Sequence, residues 1–202
     1  VPGNSQWSFW CMSSGWLCRH LYEHYEYTLD NEYLKNTAYP IMIKASQFYL
    51  DMLVEDSNGK LIIAPSTSHE NSFKYEGKTC SVSKTSTMSM SIIKDLFNSV
   101  LKASEILGDE ENETVKEIKD KLPCMLEFKI GSKGDLLEWY SEHEWTEPKH
   151  RHVSHLYALH PSRLIDIDND KELIDACKKT LEYRGDNGTG WSLGWKINFW
   201  AR

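Results

Sequence analysis

The hydrophobic residues of this chain recur at helical spacing, and this pattern restricts the fold more than any other feature. Between Ser86 and Leu107, apolar side chains return every three or four residues and predict a long amphipathic helix that Gly108 ends. Similar patterns predict further helices over 15–28, 39–54, 113–121, 153–159, 170–184 and from 192 onward. No strand–helix–strand alternation accompanies them, so we expect an all-α fold built from helical hairpins.

The first two helices are expected to pack as an antiparallel hairpin. Thr37 is a candidate N-cap for the second of them, with Pro40 in its first turn. The predicted buried face of the first helix is Trp16, Leu17, His20, Leu21, His24 and Tyr25. The predicted buried face of the second is Ile41, Ala45, Phe48, Tyr49 and Met52.

Two polar segments and one short hairpin interrupt the helices. We expect Pro65–Ser83 to be an irregular loop, and a loop of that length is often functional. A small β-hairpin is predicted over 125–139, with its turn at Gly131–Gly134. A second polar loop, rich in histidine, covers 141–152.

The composition excludes several classes of partner. The net charge is −7 and the basic residues are scattered, which argues against nucleic acid and anionic membranes as partners. No apolar run is long enough to span a bilayer. The five cysteines include no C-x-x-C pair, so we expect free thiols without a disulfide framework or zinc site. Residues 1–4 carry no secretion signal, and the cellular compartment stays open.

Asp186 lies in a glycine-rich turn between two predicted helices. Gly185 and Gly188 flank it, and such a turn could hold a carboxylate rigidly beside a ligand. The alternative is helix punctuation, in which Gly185 is a C-cap and Thr189 or Ser192 caps the next helix. The stretch by itself leaves both interpretations open.

Glu70 is the second candidate carboxylate. It follows Thr67 by three residues, as in a capping box, but no apolar helix comes after it, which favours a catalytic role. A pair of acids on separate loops suggests glycoside hydrolysis, in which one acid protonates the leaving oxygen and a second group activates water.

Histidines cluster at His150, His152, His155 and His160. If the segment is helical, His152 and His155 share a face and could form a metal pair. No H-E-x-x-H pattern supports a metal, so hydrogen bonding to substrate hydroxyls or packing in the core is favoured. We expect neither a metal nor a cofactor.

Four segments of the chain resemble, in order, signatures of the glycoside hydrolase family 95 α-L-fucosidases. These segments are Trp16–Tyr25, Ala64–Asn71, His150–Leu156 and Arg184–Ser192. The resemblance covers nearly the whole chain. It implies an (α/α)6 barrel and an inverting enzyme that cleaves terminal α-1,2-linked L-fucose from glycans or oligosaccharides.

The resemblance also implies roles for individual residues. Glu70 would be the general acid, and Asp186 would polarise an asparagine side chain that takes a proton from water. The implied substrate-binding residues are His152, His155, Trp191 and Asn71.

The sequence departs from the family pattern in two ways. The asparagine motif that should precede the first helix has no match in residues 1–10, so we expect 1–202 to be the C-terminal part of a barrel truncated at both ends and inactive alone. His69 stands where proline is usual, and Ser89 where the family often has an acid. The alternatives are an α-L-galactosidase of the same family and a noncatalytic carbohydrate-binding relative.

Overall fold

The computed structural model describes residues 3–202, which are mostly helical with small β-hairpins. The α-helices are α1 Ser5–Ser8, α2 Ser13–Thr28, α3 Asn31–Tyr33, α4 Tyr39–Met52, α5 Thr87–Leu107, α6 Glu113–Lys121, α7 Lys171–Arg184 and α8 Gly190–Trp200. The strands are β1 Leu53–Glu55, β2 Leu61–Ile63, β3 Phe73–Tyr75, β4 Lys78–Cys80 and β5 Glu144–Trp145. A π-helical stretch covers Leu34–Ala38, and 3-10 turns cover Leu122–Cys124 and Ser154–Ala158.

The chain divides into two compact units. The helical unit comprises Cys11–Ala64 and Ile92–Leu126. The site unit comprises the described part of Val1–Trp10 with Pro65–Ser91 and Glu127–Arg202.

The helical unit is organised around Tyr49 in α4, whose side chain is fully buried. Its hydroxyl accepts a hydrogen bond from the Gly15 backbone N–H at 3.0 Å and donates to the Cys11 carbonyl at 3.1 Å. A Cβ on Gly15 would lie 2.6 Å from Ile92 Cγ2, so only glycine permits this approach of α2. Strands β1 and β2 pair antiparallel, with Leu53 opposite Ile63.

The predicted buried faces of α2 and α4 are partly wrong. In α2, Leu17 is 61% exposed, whereas Cys18 and Tyr22 are buried. In α4, Ile41 and Phe48 are about half exposed, while Tyr49 is buried as predicted. Apolar residues occupy two adjoining stripes of each helix at the same period, so the contacts with neighbouring elements, and not the period, decide which stripe is buried.

Thr37 is not a helix cap, contrary to the prediction. It lies inside the π-helical stretch, and α4 continues directly from that stretch without a turn. The Tyr39 N–H donates to the Leu34 carbonyl, so the first turn of α4 has backbone partners and needs no side-chain cap. The cap lies earlier, where the Asp30 side chain accepts from the Tyr33 N–H at 3.0 Å.

The site unit combines a small sheet with α7 and α8. Its strands are ordered β4–β3–β5, and Phe73 of β3 lies opposite both Cys80 and Trp145. A hydrophobic core packs around the inner faces of the two helices; it includes Leu136, Leu156, Ile174, Leu181 and Phe199.

The loop predictions need two corrections. The segment Pro65–Ser83 is not irregular throughout, because β3 and β4 form a hairpin whose turn has positive φ at Glu76 and Gly77. The predicted hairpin over 125–139 is reduced to a single bridge between Ile130 and Leu136. Its predicted turn is confirmed, since the Gly131 N–H donates to the Asp135 carbonyl at 2.8 Å.

The structure bears on the state of the cysteines and on membrane-spanning helices. The cysteines are free thiols, as predicted, and Cys18 and Cys177 are buried. Within residues 3–202, no helix combines the length and apolar character that crossing a membrane requires.

Candidate active site

Glu70 lies on a tight turn with an uncommon backbone conformation. Its φ is +53°, in the left-handed region that side-chain-bearing residues seldom adopt. The Asn71 N–H closes the turn on the Ser68 carbonyl at 3.2 Å, and Gln6 Nε2 donates to the Glu70 carbonyl at 2.5 Å. Such backbone conformations concentrate at functional sites, where the surrounding structure compensates for their cost.

The capping-box interpretation of Glu70 is wrong. No helix follows the turn, and Thr67 Oγ1 donates instead to the Phe9 carbonyl at 2.6 Å. The chain before the turn is anchored by a buried cluster of hydroxyls, in which Ser66 Oγ lies 2.8 Å from Ser89 Oγ and 3.1 Å from Ser86 Oγ. Ser89 therefore helps to hold the acid-bearing loop.

The Glu70 carboxylate is surrounded by cationic and imidazole groups. Arg151 Nη2 donates to Oε2, His152 Nε2 lies 3.1 Å from the same oxygen, and His69 Nε2 lies 3.8 Å from Oε1. Burial by itself would raise the pKa of Glu70, but His152, His69 and Arg151 outweigh it and hold the pKa below its usual range. Glu70 is therefore ionised at neutral pH in this arrangement.

The histidines beside Glu70 are held neutral. Burial lowers the pKa of His152 to about 4, against the opposing effect of Glu70. Burial also lowers the pKa of His69. Because an ionised carboxylate can only accept, the 3.1 Å contact requires the tautomer of His152 that carries a proton on Nε2.

Aromatic rings line one side of this group. The rings of Trp191 and His152 lie 4.7 Å apart, those of His152 and His69 also 4.7 Å, and that of Trp10 5.7 Å from His69. Trp191 is 46% exposed, so part of its face is open. An open apolar face beside hydrogen-bonding groups suits the CH-rich face of a sugar.

The first turn of α8 fixes the segment that approaches Glu70. Ser192 Oγ donates to the Arg151 carbonyl at 2.6 Å, which holds Arg151 and His152 against the start of the helix. Thr189 occupies the N-cap position of α8, as the punctuation interpretation predicted, but its side chain makes no capping hydrogen bond.

The Asp186 turn is held by a buried lysine. Gly185 ends α7 with φ +64°, which confirms its predicted role as C-cap. Lys196 Nζ donates to the carbonyls of Gly185 at 2.6 Å and Asn187 at 3.5 Å, and its own pKa is lowered by burial. Asp186 itself is exposed.

Asn71 and His155 meet at a different carboxylate, Glu138. Asn71 Nδ2 donates to both Glu138 oxygens at 2.9 and 3.0 Å, and Ser68 Oγ donates to Oε1 at 2.5 Å. Arg184 Nη2 donates to Oε2 at 2.7 Å, and His155 Nδ1 lies 3.9 Å from it. Burial alone would raise the pKa of Glu138, but Arg184, His155 and the amide and hydroxyl donors hold it at about 2.

Of the predicted site residues, His152 contacts Glu70 and Trp191 packs against His152. Asn71 and His155 instead contact Glu138. Sequence reasoning missed three residues: Arg151, Glu138 and Lys196. Arg151 lies beside His152 in the His150–Leu156 motif, and this position is a signal in the sequence for its role. The sequence does not indicate the roles of Glu138 and Lys196, because the partners of a charged residue within an apolar stretch cannot be read from its neighbours in the chain.

Comparisons of the sequence with known proteins show the family of this chain. The sequence model "Glycosyl hydrolase family 95 catalytic domain" matches residues 1–202. "Alpha-L-fucosidase 2" of Arabidopsis thaliana is 41% identical over 99% of this chain and 24% of its own length. "Probable alpha-fucosidase A" of Aspergillus niger is 30% identical over 98% of this chain and 26% of its own length.

The chain spans about a quarter of the length of these two curated relatives. A second fungal protein, "Probable alpha-fucosidase A" of Aspergillus oryzae, is 27% identical over 75% of the chain. The match to the family extends over every residue from the first motif to the last. The chain therefore belongs to glycosyl hydrolase family 95 and forms part of its catalytic domain.

Proposed function

We propose that the protein containing this chain is an inverting α-L-fucosidase, with Glu70 as its general acid, that removes terminal α-1,2-linked L-fucose from glycans. The observation that carries the proposal is the carboxylate of Glu70, held on a strained turn and bordered by Arg151 and His152, with the half-exposed ring of Trp191 packed against His152. The plant and fungal relatives are all named as α-fucosidases, which supports the substrate class.

A general acid must carry a proton when the glycosidic bond breaks. The contacts with Arg151 and His152 lower the pKa of Glu70, so they must weaken as substrate binds. A sugar that covers the carboxylate excludes water and raises its pKa, and its hydroxyls give Arg151 another partner. We infer that substrate binding moves Glu70 from the ionised to the protonated form.

The water is activated through Asp186 in this proposal. The exposed carboxylate of Asp186 can accept a hydrogen bond from an asparagine side-chain amide and so make that amide's oxygen a better base. The asparagine would be supplied from outside residues 1–202. The helical architecture supports a place for this chain within an (α/α)6 barrel, and we expect the isolated chain to be inactive.

The substrate contacts divide into direct and indirect ones. His152 contacts Glu70 and would bind a sugar hydroxyl, and Trp191, which packs against His152, would bind a sugar face. Asn71 and His155 would act on the substrate through Glu138, which holds the loop on either side of Glu70. We expect no metal or cofactor in the hydrolytic step.

The test uses the complete protein that contains this chain. Glu70→Gln should reduce fucose release from 2'-fucosyllactose by about 10²- to 10⁴-fold, the usual contribution of a general acid. The loss should be much smaller with fucosyl fluoride, because fluoride leaves without protonation. Glu76→Gln is the matched control, since Glu76 has φ +47° in the same segment but is exposed. Equal losses on both substrates would rule out the acid role.

A noncatalytic fucoside-binding function is the second candidate. It is favoured by the ion pair between Glu70 and Arg151, which leaves the carboxylate without the proton an acid needs. Calorimetry that detects binding of 2'-fucosyllactose by a complete protein that releases no fucose would establish this alternative in place of hydrolysis.

A further inference from the structure

His69, Glu70 and His152 form a group with the composition of a transition-metal site. One ligand atom from each residue lies within 4.8 Å of the other two. We propose that this group binds a divalent transition-metal ion, Zn²⁺ in particular, and that the bound ion inhibits the site. The binding stands on the geometry alone, whereas the inhibition rests on the proposed function of Glu70.

The distances are close to those that a tetrahedral ion needs. With bonds of about 2.0 to 2.2 Å, neighbouring ligand atoms of zinc lie roughly 3.4 Å apart. His152 Nε2 is already 3.1 Å from Glu70 Oε2, and His69 Nε2 is 3.8 Å from Oε1. The His69 side chain is 40% exposed, so its ring has room to turn and complete the triangle.

The ligand types select the ion. Two imidazoles and one carboxylate suit zinc and its neighbours in the transition series, whereas Ca²⁺ and Mg²⁺ prefer oxygen ligands throughout. Imidazole nitrogens are the commonest protein ligands of such ions, and this group offers two of them beside one carboxylate. His152 must shift its proton from Nε2 to Nδ1 when Nε2 becomes a ligand.

Arg151 opposes the ion. Its guanidinium contacts Glu70 Oε2, and a cation there repels a second cation. The ion must therefore displace Arg151 or bind Oε1, the oxygen that His69 Nε2 approaches at 3.8 Å. Removing the Arg151 charge should therefore strengthen zinc binding. A zinc site elsewhere, without Glu70, would not respond to this change.

Binding would inhibit by occupying the Glu70 carboxylate. A carboxylate coordinated to Zn²⁺ cannot hold the proton that the leaving oxygen requires. His69 is the residue that makes this possible here, because His152 and Glu70 by themselves offer too few ligands for a stable site. Inhibition should therefore depend on His69.

The experiment is calorimetry of the complete, chelator-treated protein with ZnCl₂, without substrate. We expect one Zn²⁺ site whose affinity falls at least tenfold in His69→Asn and rises in Arg151→Met. His20→Asn is the control, since His20 is exposed and outside the group. Zinc affinity that is the same in the wild type and in His69→Asn would overturn the proposal, whether or not the protein hydrolyses fucosides.

Inhibition is measured separately, as the zinc concentration that halves fucose release, with each variant compared with its own metal-free rate. This concentration should rise at least tenfold in His69→Asn and stay unchanged in His20→Asn. MgCl₂ at the same concentrations should not inhibit. Inhibition that is equally strong in wild type and His69→Asn would overturn the inhibitory role while leaving the hydrolase proposal intact.

Discussion

Glu138 and Arg184 form a buried ion pair, in which Arg184 Nη2 donates to Glu138 Oε2 at 2.7 Å. Glu138 also accepts hydrogen bonds from Ser68 and Asn71, which lie on either side of Glu70. Arg184 is the last residue of α7, immediately before the turn that carries Asp186. One buried carboxylate therefore ties the loop of the candidate acid to the helix that presents Asp186.

Glu138→Gln should loosen this connection. The substitution removes the charge that pairs with Arg184 and leaves a buried guanidinium uncompensated, which costs about 3 kcal/mol or more. We expect amide hydrogen exchange of residues 66–72 to become faster, by the factor that corresponds to this loss of stability. Glu144→Gln, on the exposed edge of β5, is the control and should change nothing. If amide hydrogen exchange of residues 66–72 is unchanged in Glu138→Gln, Glu138 does not stabilise the loop that carries Glu70.

The effect of Glu138→Gln should depend on pH in a defined window. The pKa of Glu138 is lowered from 4.5 to about 2 in the folded protein, so the ion pair contributes fully above pH 4.5. Its contribution is lost as the pH falls from about 4.5 toward 2. The difference in exchange between wild type and variant should therefore shrink across that range and be largest at neutral pH.

Arg151→Met should shift the pH dependence of hydrolysis. Glu70 acts as an acid only when protonated, so kcat/KM falls as the pH rises above its pKa. Removing the Arg151 cation should raise that pKa and move the alkaline limb of the profile to higher pH. Arg163→Met, at an exposed arginine, should leave the limb in place. If the alkaline limb of the Arg151→Met variant does not move, the charge of Arg151 does not control the pKa of the catalytic acid.

Lys196→Met should impair the Asp186 turn without removing a substrate contact. Lys196 Nζ holds the carbonyls on both sides of Asp186, and a displacement of about 1 Å at a reacting group can cost on the order of 100-fold in rate. We expect kcat to fall about 10- to 100-fold while KM changes little. Lys171→Met, at the exposed start of α7, serves as the control. A rise in KM at constant kcat would instead indicate direct substrate binding.

Gly15→Ala and Gly194→Ala should have opposite effects on stability. A Cβ at Gly15 would meet Ile92 Cγ2 at 2.6 Å and the Tyr49 ring at 3.1 Å, and such overpacking costs about 1 to 3 kcal/mol. A Cβ at Gly194, inside α8, meets nothing within 4 Å, and the change should stabilise by about 0.5 to 1 kcal/mol. Calorimetric melting temperatures measure both. A stabilising Gly15→Ala would contradict the close packing of α2.

The helices were largely predictable because their signals are local. The spacing of apolar residues located α5 and α6 within one residue of their ends, and Gly108 and Gly185 ended their helices as predicted. The buried stripe of α2 was not predictable, since two stripes fit the same period and the contact of Gly15 with Tyr49 selects one. The sequence does not predict the β3–β4 hairpin, because its turn, Glu76-Gly77, lies within a long polar stretch that is typical of a loop.

The sequence by itself determined the helical character of the chain, the family to which its motifs belong, and Glu70 and Asp186 as candidates, because these follow from local pattern and residue type. Only the tertiary structure decided which side chains contact each of these residues. It placed Arg151 and His152 on Glu70, directed Asn71 and His155 to Glu138, and buried Lys196 beneath the Asp186 turn. Those partners come from positions up to 82 residues apart, and their charges and hydrogen bonds lower the pKa values of Glu70 and Glu138 only after folding has brought them together.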